Sequence, residues 1–303
     1  MVSKLKVDLH LHSNWSDGSL SVPQLVRFTK TLGLDAISIT DHDTMAGQKE
    51  ALAEGKKQGI QIIPGVEISA YNPETGRKAH ILGFNVQDMD GLSRACLPFR
   101  KARHQKNLQS VNRIAQAGYP ISQDDVKEYA ALDGTVYRQH IMHALVDRGY
   151  APSIYGPLYT KLLGPGGLAA VKASYMSAEE AVRLIRYCGG LPALAHPFQY
   201  DSMNFIPQLV AWGLAGIEYQ HHSQTPERQE AVILAAQQHS LFLVGGSDFH
   251  GFYSEKAMPP GSTGTELPVE QSRGTPANSI IFSPCQTKTF RTCDNISTAI
   301  PQG

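Results

Sequence analysis

Hydrophobic residues along this chain recur in short runs that are separated by longer stretches with a helical pattern. Seven runs are rich in aliphatic and β-branched residues, which is typical of strands. They cover residues 6–12, 35–43, 60–69, 78–86, 191–197, 214–222 and 241–250. Alternation of strands and helices favours parallel βα units, so we predict an α/β fold with a seven-stranded barrel rather than the regular eight-stranded one.

The stretches between these runs begin with helix start signals. Ser177 followed by Glu180 three residues later has the pattern of a capping box. Two other stretches open with a Ser or Thr that is closely followed by proline. We therefore predict helices over residues 21–32, 177–188 and 225–239.

One long interval breaks this rhythm. Residues 100–118 have the pattern of a basic amphipathic helix, a second helix is predicted over 138–148, and a Gly/Pro-rich loop follows at 162–170. The end of the chain differs again, because Ser, Thr, Gln and Pro dominate it apart from a short apolar run at 280–282. The predicted organisation is a discontinuous barrel over 1–93 and 176–268, a helical insertion over 94–175 and a C-terminal tail over 269–303.

Composition and charge narrow the class of protein. Lys+Arg and Asp+Glu both total 27, and this zero net charge argues against bulk affinity for nucleic acid while leaving a small anionic substrate open. The N-terminus has no apolar signal region, and no apolar run is long enough to span a membrane. The four cysteines form no CxxC pair. We expect a cytoplasmic protein with reduced thiols, and nothing points to an obligate protein partner.

Polar residues gather where the predicted strands end. In residues 7–12 apolar and polar positions alternate, so His10 and His12 point to the same side. Further histidines and carboxylates lie in the later runs: Asp41, His42 and Asp43, then Glu67, His80, His196, and Asp248 with His250. Because the C-terminal ends of parallel barrel strands meet at one face, we expect these side chains to converge there.

The convergence predicts a metal centre. Taken alone, a histidine such as His80 is more often a hydrogen-bonded core residue than a ligand. Many imidazoles and carboxylates in one cleft, however, are costly to bury unless they are paired or bound to metal. Histidine and carboxylate ligands without thiolates suit Zn²⁺, Mn²⁺ or Fe²⁺. The candidate ligands are too many for one ion, so we predict two or three divalent ions.

Six short motifs resemble those of a known family. They are Asp-Leu-His-Leu-His at 8–12, Ser-Asp-Gly at 16–18, Thr-Asp-His-Asp at 40–43, Pro-Gly-Val-Glu at 64–67, Ala-His-Pro at 195–197 and Gly-Ser-Asp-Phe-His at 246–250. In this order they resemble the PHP (polymerase and histidinol phosphatase) family. The chain most resembles the branch that includes nucleoside 3′,5′-bisphosphate phosphatases and a 5′–3′ exoribonuclease.

The resemblance implies a distorted (βα)₇ TIM-like barrel with a trinuclear metal site. It assigns one ion to His10, His12, Glu67 and Asp248. It makes Glu67 a bridge to a second ion that is held with His80 and His196. It assigns the third ion to Asp17, His42 and His250. All nine positions are filled, which favours an active enzyme.

Such a site implies a mechanism without a serine or cysteine nucleophile. Two ions that share Glu67 can share a water and lower its pKa towards neutrality, so we expect a metal-bridging hydroxide to attack phosphorus. His221 is expected to assist, by contact with phosphate or by protonating the leaving alkoxide, although His222 beside it is an alternative. Asp41 is expected to accept the second N–H of a metal-bound imidazole.

Substrate contacts are expected from the insertion. Arg138 and His140 resemble the Thr-Arg-x-His pattern of the branch, and Arg138 suits bidentate binding of a second phosphate. Arg103 is a further candidate, but a solvated basic face is the favoured interpretation of Arg100 and Arg103. The loop lysine usual in the branch is absent here, and Lys172 is the candidate to replace it.

These observations predict a metal-dependent phosphoesterase that acts on a small phosphorylated nucleotide. The leading reaction is hydrolysis of the 3′-phosphate of a nucleoside 3′,5′-bisphosphate. Alternatives are a 5′–3′ exoribonuclease on short RNA ends and a histidinol-phosphatase-like activity. A non-catalytic metal-binding module is the alternative from another class, and the complete ligand set speaks against it.

Overall fold

The computed structural model describes residues 4–172, 174–256 and 258–268, so the predicted tail over 269–303 lies outside the described residues. The strands are β1 Lys4–Leu11, β2 Ala36–Ile39, β3 Gln61–Ile62, β4 Gly65–Ile68, β5 Ala70–Tyr71, β6 Ile81–Phe84, β7 Met176–Ser177, β8 Leu191–Leu194, β9 Gly216–Gln220, β10 Phe242–Gly245 and β11 Thr265–Pro268. The α-helices are α1 Val22–Thr31, α2 Gln48–Gln58, α3 Met89–Gln116, α4 Gln123–Lys127, α5 Arg138–Asp147, α6 Pro157–Leu162, α7 Ala178–Tyr187, α8 Ile206–Trp212 and α9 Pro226–His239.

The predicted helix starts are confirmed in α1, α7 and α9. The side chain of Ser177 accepts a hydrogen bond from the Glu180 amide, and the Glu180 carboxylate accepts one from the Ser177 amide. This capping box satisfies amides that have no partner at a helix start. No helix among the described residues is long and apolar enough to cross a membrane.

The described strands form a four-stranded sheet in the order β11-β1-β2-β3, a five-stranded sheet in the order β10-β9-β8-β6-β4, and a β5-β7 pair. Parallel pairing is confirmed for β1-β2-β3 and for β8-β9-β10. The prediction is wrong for β6, which runs antiparallel to both β4 and β8. The N-terminal end of β6 therefore lies beside the C-terminal ends of β4 and β8.

The predicted third strand, over residues 60–69, is two strands. It breaks at Ile63-Pro64, so that β3 joins the first sheet and β4 joins the second. Pro64 has no N–H to donate, and proline within a strand favours a break of this kind. The break places the following segment, with Glu67, beside the end of β2.

The two sheets meet at the ends that carry the polar motifs. The His12 amide donates to the Phe249 carbonyl over 2.9 Å, and the Asp43 amide donates to the Glu67 carbonyl over 2.9 Å. These bonds link β1 to the segment after β10 and link the segment after β2 to β4. The fold is thus mixed α/β, with two sheets whose edges are joined at the candidate site.

The first helix of the predicted insertion is longer than predicted. The helix predicted over 100–118 is the second part of α3 Met89–Gln116, and the predicted domain boundary after residue 93 falls inside it. The helix predicted over 138–148 is confirmed as α5. Helices α3 to α6 share an apolar cluster that also includes Tyr253, from the segment after β10. The insertion therefore packs directly against the edge of the candidate site.

Candidate functional site

Strand β1 brings two buried imidazoles to the same pair of carboxylates. The Nε2 atom of His10 lies 3.3 Å from Glu67 Oε2 and 3.3 Å from Asp248 Oδ1. The Nε2 atom of His12 lies 3.3 Å and 3.1 Å from the same two oxygens. Residues two apart on a strand share a face, and this register aims both rings at one point. The ligand atoms of these four residues lie within 4.8 Å of one another, close enough to hold an ion.

Glu67 lies at the centre of the cluster. Its Oε1 atom is 2.8 Å from His80 Nδ1 and 2.9 Å from His196 Nε2, and its Oε2 atom is 3.1 Å from His42 Nδ1. His80 reaches Glu67 because it immediately precedes the reversed strand β6. His42, Glu67 and His80 form a second group that could hold an ion, and His196 approaches the same Glu67 oxygen as His80.

A third group lies beside the first two. Its members, His12, Asp17, His42 and His250, also place their ligand atoms within 4.8 Å of one another. The His250 Nε2 atom is 3.4 Å from Asp17 Oδ1. All nine residues that the motifs single out are therefore brought together at one end of the sheets. Their grouping differs from the implied one, because His12 and His42 each belong to two groups.

The donor atoms fit divalent cations. His10 Nε2, His12 Nε2 and Asp17 Oδ1 are buried and have no hydrogen-bond partner among the described residues. Burial would lower the pKa of His12, but the carboxylates of Asp248 and Glu67, at 3.1 Å and 3.3 Å from its Nε2 atom, raise it to about 10. Burial would raise the pKa of Glu67, but the surrounding histidines hold it well below the usual range. The carboxylates thus require positive charge at these points, which bound cations supply.

The carboxylates behind the cluster have distinct partners. Asp41 does not contact an imidazole as expected, because its oxygens accept hydrogen bonds from Ser13 and Ser16. Ser16 Oγ lies 3.5 Å from His12 Nδ1, so Asp41 reaches the cluster only through a serine. The carboxylate that does contact an imidazole is Glu218, 3.0 Å from His10 Nδ1. Glu218 was missed, although a carboxylate inside the apolar run 214–222 is a signal that could have found it.

The insertion supplies a second face of the same cavity. Arg103 is only 9% exposed, and its Nη2 atom donates to Asp43 Oδ2 and Ser69 Oγ, both over 2.7 Å. Arg100 is also buried and pairs with Asp133. The interpretation of these arginines as a solvated basic face is therefore wrong. Arg103 lines the cavity, but Asp43 already neutralises its charge.

Three further cations line this cavity, namely Lys78, Lys106 and Arg138. Lys106 is 6% exposed, and the side chains of Lys106 and Arg138 form no hydrogen bond or ion pair with any residue that the structure describes. Burial, followed by the charges of Arg138, Arg103 and Lys78, lowers the pKa of Lys106 to about 6. Burial similarly lowers the pKa of Lys78 to about 8. No motif or spacing in the sequence singled out either lysine.

Three predicted substrate contacts lie elsewhere. Lys172 is exposed and does not line the cavity. His140 is buried, and its Nδ1 atom accepts a hydrogen bond from the Tyr137 amide over 3.1 Å, which caps α5. His221 also lies outside the lining, with its Nε2 atom 3.4 Å from Asp248 Oδ2, whereas His222 lines the cavity. Tyrosines complete the walls, namely Tyr137, Tyr155, Tyr159, Tyr175, Tyr200 and Tyr253.

Comparison with known proteins places the fold and site in a family. The PHP domain model matches residues 8–186, which is more than half of the chain. A phosphoribosyl 1,2-cyclic phosphate 1,2-diphosphodiesterase of Eggerthella lenta is 37% identical over 80% of this chain and 94% of its own length. A 5′-3′ exoribonuclease of Haemophilus influenzae is 36% identical over 81% and 90%.

Two further matches agree with these. A 3′,5′-nucleoside bisphosphate phosphatase of Chromobacterium violaceum is 30% identical over 80% of this chain and 87% of its own. The crystal structure of a proposed metal-dependent phosphoesterase from Bifidobacterium adolescentis superposes with a TM-score of 0.77 at 28% identity, covering 85% of this chain and 92% of that one. The chain therefore belongs to the PHP-domain family of metal-dependent phosphoesterases.

Proposed function

We propose that this enzyme hydrolyses a phosphoester on a small ribose phosphate that carries a second phosphate group. The leading substrate is a nucleoside 3′,5′-bisphosphate, with the 3′-phosphate as the reacting group. One observation carries this proposal: a single cavity has a histidine and carboxylate cluster on one face and buried or half-buried cations on another, of which Lys106 and Arg138 have no partner among the described residues.

The reacting phosphate belongs at the metal face. The proposed ligands of two or three Mn, Fe or Zn ions are His10, His12, Asp17, His42, Glu67, His80, His196, Asp248 and His250. Such ions, when bound, lower the pKa of a water and polarise the phosphoryl oxygens. The protein contributes by holding Glu67 among five imidazoles at 2.8–3.3 Å, so that its oxygens are aimed at more than one ligand group.

The second phosphate belongs at the cationic face. Leaving Lys106 and Arg138 buried or partly buried without an anion is unfavourable, and a bound phosphate removes that penalty. The guanidinium of Arg138 offers two parallel donors that match phosphate oxygens. We assign to Lys78 and Lys106 the substrate contact that was expected from Lys172. Arg103 is secondary in this proposal because Asp43 already neutralises it.

The tyrosines support a nucleotide rather than a bare sugar phosphate. Tyr155 and Tyr159 line the cavity with ring centroids 5.0 Å apart. Aromatic faces bind nucleobases by stacking without requiring one particular base. His222, which also lines the cavity, replaces His221 as the candidate to contact phosphate or the leaving oxygen.

We also propose that the two sheets represent a distorted (βα)₇ barrel with the insertion over 94–175 between its parts. The backbone bonds His12 to Phe249 and Asp43 to Glu67 support this, because each joins one sheet edge to the other. The reversed strand β6 accounts for the distortion.

A cyclic phosphodiester is the second candidate substrate. It is favoured by the 37% identity to the phosphoribosyl 1,2-cyclic phosphate 1,2-diphosphodiesterase, whose named substrate also combines a ribose with two phosphate groups. A 5′–3′ exoribonuclease activity on short RNA ends is supported by the 36% identical relative. Histidinol phosphate carries one phosphate and would leave the cationic face unpaired.

A substrate panel tests these alternatives. Protein stripped of metal is supplied with Mn²⁺, Fe²⁺ or Zn²⁺ and incubated with adenosine 3′,5′-bisphosphate, 5-phosphoribosyl 1,2-cyclic phosphate, short 5′-phosphorylated RNA or histidinol phosphate. Adenosine 3′-monophosphate is the matched control without a second phosphate. We expect metal-dependent turnover and a clear preference for the bisphosphate over the control. Turnover of both at equal efficiency would contradict the second-phosphate site, and metal binding without any turnover would make the chain a binding module.

A further inference from the structure

Glu218 is a fully buried carboxylate on β9, a strand inside the five-stranded sheet. Its Oε1 atom lies 3.0 Å from His10 Nδ1, and its Oε2 atom accepts a hydrogen bond from the His196 amide over 2.7 Å. We propose that Glu218 is a positioning residue that holds His10 and His196 in the orientation needed to bind metal. The inference rests on the ligand roles of these two histidines in the proposed function.

The first part of the argument concerns the His10 ring. An ionised carboxylate only accepts hydrogen bonds, so the contact with Glu218 places a proton on His10 Nδ1. Coordination then takes place through Nε2, the atom that faces Glu67 and Asp248, both at 3.3 Å. Carboxylates in this position fix the orientation of a ligating imidazole and increase its basicity.

The second part concerns the His196 backbone. His196 has φ 23°, a left-handed conformation that residues other than glycine rarely adopt and that persists only when surrounding contacts hold it. The bond from its amide to Glu218 is such a contact. This backbone conformation turns the His196 ring so that Nε2 lies 2.9 Å from Glu67 Oε1. One carboxylate thus links ligands from two separate segments.

The position of Glu218 also argues for function rather than packing. Its neighbours Ile217 and Tyr219 belong to the apolar core, and an apolar residue at 218 would avoid the penalty of burying a charge. That penalty is offset here because both carboxylate oxygens of Glu218 accept hydrogen bonds, one from the His10 ring and one from the His196 amide. Gln224 Nε2 donates to the Glu218 carbonyl over 3.1 Å and fixes the backbone behind it.

The test is the Glu218→Gln variant. Glutamine fills the same space but has one acceptor oxygen and one donor nitrogen, so either the His10 or the His196 contact is lost. We expect the affinity for Zn²⁺, measured by competition with a chelator, to fall about 10- to 100-fold for the ions held near His10 and His196. The ion at Asp17, His42 and His250 should bind as in the wild type, because Glu218 does not contact those residues. The titration should therefore separate into two phases.

Asp8→Asn is the matched control. Asp8 is another fully buried carboxylate on a strand, but its bonds go to the amides of His10, Ser247 and Gly261 and not to a ring. We expect this variant to lose stability while Zn²⁺ affinity stays close to that of the wild type. Equal losses of affinity in both variants would overturn the inference, as would unchanged affinity in Glu218→Gln. Failure of the wild type to bind Zn²⁺ would instead refute the proposed metal site.

A spectroscopic measurement decides the case even if the variant does not fold. In the Zn²⁺-loaded wild type, the Nδ1–H proton of His10 should be strongly deshielded and protected from exchange by its bond to the Glu218 carboxylate. In Glu218→Gln it should shift upfield. A rapidly exchanging proton without this deshielding in the wild type would overturn the inference.

Discussion

The two faces of the cavity are built in different ways. The metal face comes from the ends of strands, and the backbone ladder sets the direction of His10, His12 and Glu67. The cationic face comes from α3, α5 and the segment before β6, and the rotation of helices sets the direction of its side chains. The first face can be filled by metal ions and the second by an anion. In the proposed function, chemistry and selectivity therefore reside on separate structural elements of this enzyme.

The largest expected effect comes from damage to the metal face. His12 belongs to two of the three groups that could hold an ion, so His12→Ala removes a ligand from both. We expect kcat/KM to fall roughly 10³-fold, equivalent to about 4 kcal/mol, with partial loss of bound metal. Activity with added Mn²⁺ and metal content by mass spectrometry are the measurements.

The control for this variant is His239→Ala, in the last turn of α9, where the side chain lies outside the cavity lining. It should retain full activity and metal content. Circular dichroism should show that both variants are folded. Full metal occupancy in His12→Ala would remove the basis for assigning this histidine as a ligand.

Much of the metal face could be predicted from the sequence. The period of two along residues 7–12 determines that His10 and His12 share a face, and the strand ends determine that the motifs converge. The reversal of β6 could not be predicted, because no local pattern records the direction of a strand. His80 was nonetheless expected at the site, and the structure places it there at the N-terminal end of β6 rather than at the C-terminal end.

The cationic face was largely missed for a physical reason. A basic helix face such as that of Arg103 and Lys106 has the same sequence pattern whether it meets water or a cavity. The structure buries this face because α3 lines the cavity, where Arg103 pairs with Asp43 and Lys106 forms no ion pair with any residue that the structure describes. Lys172 is exposed and does not line the cavity, whereas Tyr175 three residues later does. Of the predicted substrate contacts, Arg103 and Arg138 line the cavity, and for Arg138 it was the motif rather than the charge that indicated it.

The next effect concerns the contact that joins the two faces. Asp43→Asn leaves the Arg103 guanidinium buried without a carboxylate, so we expect the free energy of unfolding to fall by about 3–5 kcal/mol. Urea denaturation of the metal-free protein measures it. Asp124→Asn is the control, because Asp124 forms an exposed pair with Lys127 and should cost less than about 1 kcal/mol. Equal losses in the two variants would mean that the buried pair does not hold the insertion to the metal face.

A smaller effect tests selectivity. Arg138→Ala should lower kcat/KM for adenosine 3′,5′-bisphosphate roughly 10- to 100-fold, the value of a charged hydrogen bond, and leave adenosine 3′-monophosphate nearly unaffected. Arg183→Ala, which removes an exposed arginine of α7 paired with Glu179, is the control and should change neither. If both substrates lose the same factor, Arg138 does not bind a second phosphate.

The smallest effect is a pH dependence that belongs to the cationic face alone. Burial and the charges of Arg138, Arg103 and Lys78 lower the pKa of Lys106 to about 6, so Lys106 is charged below that pH and largely neutral above it. A phosphate requires the charged form, so above pH 6 binding must be accompanied by proton uptake. We expect this contribution to weaken substrate affinity by up to about tenfold per pH unit above 6.

Lys106→Gln removes the titrating amine of Lys106. It does not change the ionisation of the substrate phosphate, of the metal face or of Lys78. The ratio of KM in the variant to KM in the wild type therefore measures the contribution of the Lys106 charge. This ratio should be largest below pH 6 and approach one as pH rises. Lys101→Gln, which changes an exposed lysine of the same helix, should give a ratio near one throughout. A ratio for Lys106→Gln that does not vary with pH would mean that Lys106 does not bind the substrate anion, even if Arg138 does.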